Sequence, residues 1–312
     1  MVIAGGFLHV SFVRERPEID VESVAGWSIY RGVITLAEAG TENLIPWPFA
    51  VLAGIFFVLL PPLLLFAWNG KAIPFGAPGI LLWLLGVTLF ASAALIAGSL
   101  WVWGAKEVRG YWPEVIFLTL VGHVWLAFAI AIFPWLGLSL RDDAMERKNV
   151  AGMLALSGAI LAVALTYAGG SLGEGPEYWN NYFSAGLGTG GVFGLWLVLE
   201  MGGHVSASVA EERDVATGLR VGAFLLAVGL ILGRAVAGDW HSVGATIHDF
   251  IQDGWPALVL VVVAVMVEVA LRPTFTNPFP NWKSRGLLPA MVYIGVALVW
   301  LWNRGKWEGM PQ

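Results

Sequence analysis

His123 is the residue whose type and position point most directly to cofactor chemistry. It stands in the sequence Gly122-His123-Val124-Trp125, inside a long apolar stretch. A neutral imidazole nitrogen at membrane depth can bind haem iron, and the preceding glycine would leave room for the macrocycle. The same nitrogen can bind chlorophyll magnesium. A lone buried histidine more often only hydrogen-bonds to a neighbouring helix. His123 is therefore a candidate ligand of haem b, with a purely structural role as the alternative.

Two further histidines and an arginine lie close together in the sequence and extend this candidate site. His241 and His248 are seven residues apart, which is two helical turns, so a helix would place both on one face. Either could pair with His123 as the second axial ligand of a haem, and His123 and His248 are the candidate metal ligands. Arg234 precedes them and could bind a haem propionate. The alternative is a solvated polar loop.

Two acidic residues near the ends of apolar stretches each have a basic residue four positions later. Glu200 and His204 would share a helix face and form a proton-uptake pair or part of a quinone site, or a plain helix-end pair. Glu268 and Arg272 have the same spacing. For these two, a local salt bridge with a snorkelling arginine is the favoured interpretation.

The composition indicates the kind of solvent that surrounds these residues. The chain has 312 residues, of which 58% are hydrophobic and 12% are charged, and its mean hydropathy is +0.75. A soluble domain carries roughly 25% charged residues because its surface faces water. A lipid-facing surface explains the deficit. The net charge of −5 without a basic block argues against a nucleic-acid partner, and the lack of cysteine excludes disulfides and thiolate catalysis.

The hydropathy pattern predicts an all-α, polytopic membrane helix bundle over residues 46–303, with about eight transmembrane helices, each long enough for a hydrocarbon core of roughly 30 Å. Residues 1–45 are predicted to form an interfacial amphipathic segment, and residues 304–312 a short polar tail. No repeat at a fixed period is recognised. The predicted spans are 46–68, 79–104, 113–139, 150–168, 183–203, 217–237, 255–272 and 287–303. The seventh could begin earlier, since residues 241–252 could be helical before Pro256.

The distribution of Lys and Arg predicts the orientation of the bundle. Loops on one side carry most of these residues, whereas the loops 169–182 and 238–254 on the other side carry none. Basic loops stay in the cytoplasm, so both termini are predicted to lie outside it, in a bacterial or archaeal-type inner membrane. Three arginines near the N-terminus oppose this orientation: Arg14, Arg16 and Arg31.

Two short sequences carry a family resemblance. One is Trp112-Pro113-Glu114-Val115-Ile116-Phe117-Leu118-Thr119-Leu120, and the other is Pro176-Glu177-Tyr178-Trp179 followed by a helix from Phe183-Ser184-Ala185. The first resembles the segment of haem–copper oxidases in which a copper-binding histidine precedes Pro-Glu-Val. The second resembles a loop and helix of the nitric oxide reductases in the same superfamily.

This resemblance implies a redox protein, with His241 and His248 roughly where the family has its haem-ligating histidines. The chain differs from the family in several respects. Trp112 stands at the position of the metal-binding histidine, no His-His pair occurs before Pro176, and the number of predicted spans is smaller. The resemblance therefore implies a haem site or a bare scaffold without the dinuclear metal centre.

Three functions compete at this stage. The leading hypothesis is a membrane-embedded subunit of a respiratory or other electron-transfer complex, which binds b-type haem near the outer face, contacts quinone and has other membrane subunits as partners. The second is a transporter or channel, for which polar residues along a path are expected. The third is a cofactor-free structural subunit of a larger respiratory or photosynthetic complex.

Overall fold

The regular structure of this chain is entirely helical in the part that is described. The computed structural model describes residues 79–176, 178–273 and 281–305. Within them there is no strand, and seven helical segments are long and apolar enough to cross a membrane. The chain is therefore an all-α polytopic helix bundle, which confirms the predicted fold class.

The helices are numbered α1 to α7 in chain order. They are α1 Gly79–Trp103, α2 Trp112–Ile132, α3 Val150–Gly170, α4 Tyr178–Gly203, α5 Val215–Ala235, α6 Val243–Leu271 and α7 Leu288–Arg304. They correspond to seven of the predicted spans. The predicted span 46–68 and the N-terminal segment 1–45 lie outside the described residues.

Helix α6 begins well before the predicted start at residue 255. The Ser242 side chain accepts a hydrogen bond from the backbone N–H of Ala245, which caps a helix that begins at Val243. Pro256 consequently lies inside the helix. A proline there removes one backbone hydrogen bond but leaves the following turns in place.

Consecutive helices form antiparallel hairpins. Short turns after Trp103, Gly170 and Ala235 join α1 to α2, α3 to α4 and α5 to α6, all at one end of the bundle, which is called the hairpin end. Longer connections at the opposite end, called the crossover end, lead from one hairpin to the next. Each of these connections contains a π-helical segment: Leu140–Glu146, Ala207–Glu211 and Lys283–Leu287.

Helices α3 and α5 form the centre of the bundle. Helix α3 packs against α1, α2, α4 and α5, and helix α5 packs against α3, α4, α6 and α7. Their most apolar windows are 72% and 78% buried, against 22% for α1 and for α7 with its preceding π segment. The outer helices therefore present apolar faces to lipid, while α3 and α5 contact mainly protein.

Glycines bring the backbones of α3 and α5 into direct contact. A Cβ atom added at Gly158 would lie 2.0 Å from the carbonyl oxygen of Gly222, and one at Gly169 would lie 2.0 Å from that of Gly233. Small residues allow helices to approach this closely in lipid. Contact positions advance together along both helices, so the two run parallel. This contact, called the glycine seam, is formed by Gly158, Gly169, Gly218, Gly222, Gly229 and Gly233.

The structure reveals an internal repeat that the sequence analysis misses. Helices α3 and α5 both have 21 residues, and their first residues are 65 positions apart. The first residues of α4 and α6 are also 65 positions apart. Each inner helix is preceded by a basic residue with a left-handed backbone, Lys148 and Arg213, both at φ 55°. A capping side chain follows in each case, Asn149 and Asp214. The identical pairs at this offset include Glu146 and Glu211, Val150 and Val215, Ala151 and Ala216, Leu154 and Leu219, and Ala162 and Ala227.

Replacing a seam glycine by alanine tests the backbone contact. In Gly158→Ala the new methyl group would overlap the Gly222 carbonyl, so the helices must separate, and we expect a loss of about 1–3 kcal/mol or more. The matched control is Gly190→Ala in α4, where a Cβ meets nothing within 4 Å. This control should be neutral or slightly stabilising, because alanine favours helix. Thermal unfolding in detergent measures both, and equal melting temperatures would contradict the seam.

Candidate functional site at the junction of the two repeats

The space beside His123 is filled by protein side chains. His123 lies in α2 with 5% of its surface exposed. Its Nδ1–H donates to the carbonyl oxygen of Thr119 at 2.8 Å, and its Nε2 lies 3.4 Å from the hydroxyl of Ser92 in α1. A Cβ on Gly122 would lie 2.6 Å from the ring of Tyr167 and 2.9 Å from Ile96. The glycine therefore makes room for Tyr167, and these residues do not fit a haem macrocycle.

His241 and His248 lie at the hairpin end, near the start of α6, and face solvent. The Nδ1 of His241 donates to the carbonyl oxygen of Asp239 at 3.0 Å, and the His248 side chain is 75% exposed. Helix α6 packs against α4 and α5, whereas α2, with His123, packs against α1 and α3. Among the described residues, no hydrogen bond joins His123 to either histidine, and no group of three metal-binding side chains occurs.

Arg234 pairs with a carboxylate of the protein. Its guanidinium lies 3.6 Å from Asp253 of α6, and Asp253 also accepts Arg304 from the end of α7. The Arg234 side chain is 10% exposed. The sequence predicts a haem propionate as its partner and does not indicate Asp253 or Arg304. These three residues tie α5, α6 and α7 together at the hairpin end.

The predicted interaction between Glu200 and His204 is not found. The Glu200 carboxylate accepts hydrogen bonds from the backbone N–H and the hydroxyl of Ser206, at 2.8 and 2.6 Å. His204 has left the helix, with φ at 49°, and its side chain is exposed. The backbone turn after Gly203 thus carries the histidine away from the helix face that an i, i+4 pair requires. Glu200 fixes the start of the crossover instead.

Glu268 pairs with a different arginine from the one that the sequence predicts. Its two carboxylate oxygens accept from Nε and Nη2 of Arg220 in α5, each at 2.7 Å, in a bidentate arrangement. Arg220 is 0% and Glu268 2% exposed. The predicted Glu268–Arg272 salt bridge is therefore wrong, because the carboxylate points into the bundle and Arg272 lies after the helix end.

Arg220 donates two further hydrogen bonds. Nη2 donates to the Thr217 hydroxyl at 2.8 Å, and Nη1 donates to the carbonyl oxygen of Arg285 in the π segment before α7. A buried ion pair is tolerated only when such hydrogen bonds compensate for lost solvation. Because α5 and α6 are antiparallel, this network at the crossover end and the Arg234–Asp253–Arg304 network at the hairpin end hold the same helices at two separate levels.

A small polar cleft opens at the hairpin end between α3, α4, α5 and α6. Its volume of about 30 Å³ holds roughly two water molecules, because one water needs about 10–15 Å³. It is lined by Gly170, Leu172, Gly173, Glu174, Gly175, Asn180, Asn181, Ser184, Ala235, Val236, Ala237, Gly238, Asp239, Trp240, Thr246 and Asp249.

The lining of the cleft comes from equivalent positions of the two repeats. Glu174 and Asp239 are 65 residues apart and occupy the same place in the turns of the α3–α4 and α5–α6 hairpins. The glycines before them, Gly173 and Gly238, both have positive φ angles, 93° and 150°. The other equivalent pairs in the lining are Gly170 and Ala235, Leu172 and Ala237, Gly175 and Trp240, Asn181 and Thr246, and Ser184 and Asp249.

Hydrogen bonds between successive turns fix the geometry of the cleft. The backbone N–H of Lys106 donates to Oε1 of Glu174 at 3.0 Å, and the backbone N–H of Glu174 donates to Oδ1 of Asp239 at 2.7 Å. The carboxylate of each turn thus accepts from the backbone of the preceding turn. The lining includes three carboxylates and no Lys, Arg or His.

Asn180 provides a buried polar group without a partner at this cleft. It is 3% exposed, and its Nδ2 atom has no hydrogen-bond partner. A buried unpaired amide costs free energy, so a polar ligand or water in the cleft is expected to complete its hydrogen bonding. Local motifs in the sequence do not indicate this site. The signal in the sequence is a glycine followed by an acid, Gly173-Glu174 and Gly238-Asp239, at the 65-residue offset.

Comparison with known proteins identifies no relative, so the function is inferred from the fold and the cleft. No protein-family model, curated protein or solved structure matches the chain. The resemblance to the haem–copper oxidase superfamily stays a prediction.

Substitutions at the buried ion pair test which arginine Glu268 binds. Arg220→Met leaves the Glu268 carboxylate buried without its partner, and we expect a loss of about 3–5 kcal/mol. Arg272→Met is the matched control and should change stability by less than about 0.5 kcal/mol. The double variant Arg220→Met/Glu268→Met should regain most of the loss, because no charge is then left buried. Melting temperatures in detergent measure the three, and a larger effect of Arg272→Met would refute the assignment.

Proposed function

We propose that this chain is a membrane transport protein, a transporter or channel, which binds a small polar solute in the cleft at the hairpin end. The observation that carries the proposal is that equivalent residues of two parallel repeats line one polar cleft. Transporters are commonly built from such repeats, and their solute sites lie where the repeats meet. The unpartnered amide of Asn180 supports a polar occupant.

The two ion-pair networks support a protein that changes between closed and open states. Arg220 and Glu268 close the crossover end between α5 and α6, and Asp253 holds Arg234 and Arg304 at the hairpin end. Alternating access requires that one end opens while the other stays closed. Such a role requires that water or another polar group replaces each partner when an ion pair separates, because an unpaired buried charge is costly.

The orientation that we propose follows from the basic residues of the described connections. The crossover end is rich in Lys and Arg, while the turns of the hairpin end have Lys106 and Arg109. By the positive-inside rule the crossover end faces the cytoplasm, and the cleft opens on the opposite side. The basic residues in the described crossover connections are Arg141, Arg147, Lys148, Arg213, Arg272, Lys283 and Arg285.

Cysteine labelling combined with flux tests this function. The natural chain has no cysteine, so single cysteines can be placed without background. Asn181→Cys and Thr246→Cys lie in the cleft, and Gly190→Cys lies on the open face of α4. In intact cells, a charged membrane-impermeant thiol reagent added outside should label the two cleft cysteines. In proteoliposomes, the same modification should reduce solute flux at least severalfold. The same reagent should leave the flux of Gly190→Cys unchanged.

The flux measurement uses osmotic shrinking and swelling with a panel of small salts, amines and neutral solutes. Wild-type vesicles should respond faster than protein-free vesicles to at least one solute. Identical responses to every solute, with folded protein in the vesicles, would reject transport. Labelling of the cleft cysteines only from the cytoplasmic side would reverse the orientation.

Visible spectra distinguish transport from the electron-transfer function that the sequence resemblance implies. Because Tyr167 and Ile96 fill the space beside Gly122, we expect no b-type α-band that depends on His123 in dithionite-reduced protein. His123→Ala and His248→Ala are compared with the wild type. A reduced b-type band that His123→Ala abolishes would replace the transport proposal with a haem-containing redox subunit.

A further inference from the structure

We infer that the cleft binds a small monovalent cation, of the size of Na⁺ or K⁺; the inference rests on the proposed function and adds the chemical class of the solute. The sign of the charge is the first argument. The lining holds the carboxylates of Glu174, Asp239 and Asp249 and no basic side chain. His248 lies 3.5 Å from Asp249 on the solvent side, so the argument rests mainly on Glu174 and Asp239.

Helix dipoles do not change this sign. The C-terminal ends of α3 and α5 meet at the cleft, and each contributes roughly half a negative charge. Helices α4 and α6 begin at the same end and contribute roughly half a positive charge each. The four contributions roughly cancel, so the carboxylates decide that the cleft attracts cations.

The ligands that the cleft offers are side-chain oxygen atoms. Glu174 and Asp239 each use one carboxylate oxygen to accept a backbone N–H, which orients the side chain and leaves the second oxygen for a ligand. Ser184 contributes a hydroxyl group. The unpartnered atom of Asn180 is Nδ2, a donor, but a half-turn of the amide about its last bond exchanges the two atoms, so that Oδ1 faces the cleft and can coordinate a cation.

The size and the ligand set favour a monovalent ion. The volume of about 30 Å³ has room for a cation with roughly one retained water. Mg²⁺ needs near-ideal octahedral geometry, and Ca²⁺ takes roughly six to eight oxygen ligands, several of them from carboxylates. Among residues 79–176, 178–273 and 281–305, no group of three acidic or histidine side chains is close enough to hold a metal in this way.

The test is ion-dependent stability of the purified protein. Melting temperature and intrinsic tryptophan fluorescence, to which Trp240 in the cleft lining contributes, are followed during titration with NaCl or KCl. Choline chloride keeps the ionic strength constant. We expect a saturable rise of at least about 2 °C with Na⁺ or K⁺ over choline, because a ligand that binds the folded state stabilises it. Equal curves in all three salts, or a response to Ca²⁺ or Mg²⁺ alone, would overturn the inference.

Carboxylate-to-amide variants locate the ion. Glu174→Gln and Asp239→Asn should each raise the apparent Kd at least about tenfold, since each removes a charged ligand. Glu212→Gln, an exposed carboxylate at the crossover end, is the control and should titrate like the wild type. Equal titration curves for the control and both cleft variants would reject the site.

A gain of affinity provides a test that a folding defect cannot imitate. Asn180→Asp adds a fourth carboxylate to the lining and should lower the apparent Kd for Na⁺ or K⁺ severalfold, whereas Asn180→Leu should raise it. An unchanged Kd in Asn180→Asp would contradict the inference. Cation binding without flux of any solute would retain the site and reject transport. Flux of a neutral solute, together with a melting temperature that does not respond to Na⁺ or K⁺, would retain transport and reject the cation site.

Discussion

The direct contact between the backbones of α3 and α5 is the constraint from which the rest of the structure follows. Lipid chains are as apolar as leucine, so burial of apolar side chains does not hold transmembrane helices together. Glycines replace that driving force with close van der Waals contact along the whole length of the pair. A parallel pair in fixed register also places the two hairpin turns side by side. Glu174 and Asp239 meet for this reason, and the polar cleft forms between them.

Charged side chains hold the other helices in place around this pair. A charge in the hydrocarbon region is costly, and Arg220 and Glu268 are stable there because each satisfies the other in a bidentate geometry. Asp253 does the same for Arg234 and Arg304 at the hairpin end. The cost of these groups makes their positions informative, because packing alone would be served equally well by leucine.

The helices were predictable from the sequence, whereas the contacts between them were not. Length and hydropathy locate seven described spans, because each helix must satisfy its own backbone in lipid. Partners across helices depend on the direction of a side chain and on the register of distant segments. Local spacing therefore misassigned Glu268 to Arg272 and Glu200 to His204. Gly122 next to His123 suggests space for a cofactor in the sequence, but its neighbour across the interface is Tyr167. The repeat is not apparent in the sequence because it is preserved mainly in caps, glycines and turn acids.

The glycine seam also determines which part of the molecule can move. Carbonyl oxygens sit where side chains would be, so neither α3 nor α5 can rotate or slide without collision. The two helices are therefore fixed relative to each other. Helix α6 meets α5 through side chains and two ion pairs, and Pro256 interrupts its hydrogen bonding close to Asp253. Helix α6 is thus held to this pair by side-chain contacts, and Pro256 lies between its two ion-paired carboxylates, Asp253 and Glu268.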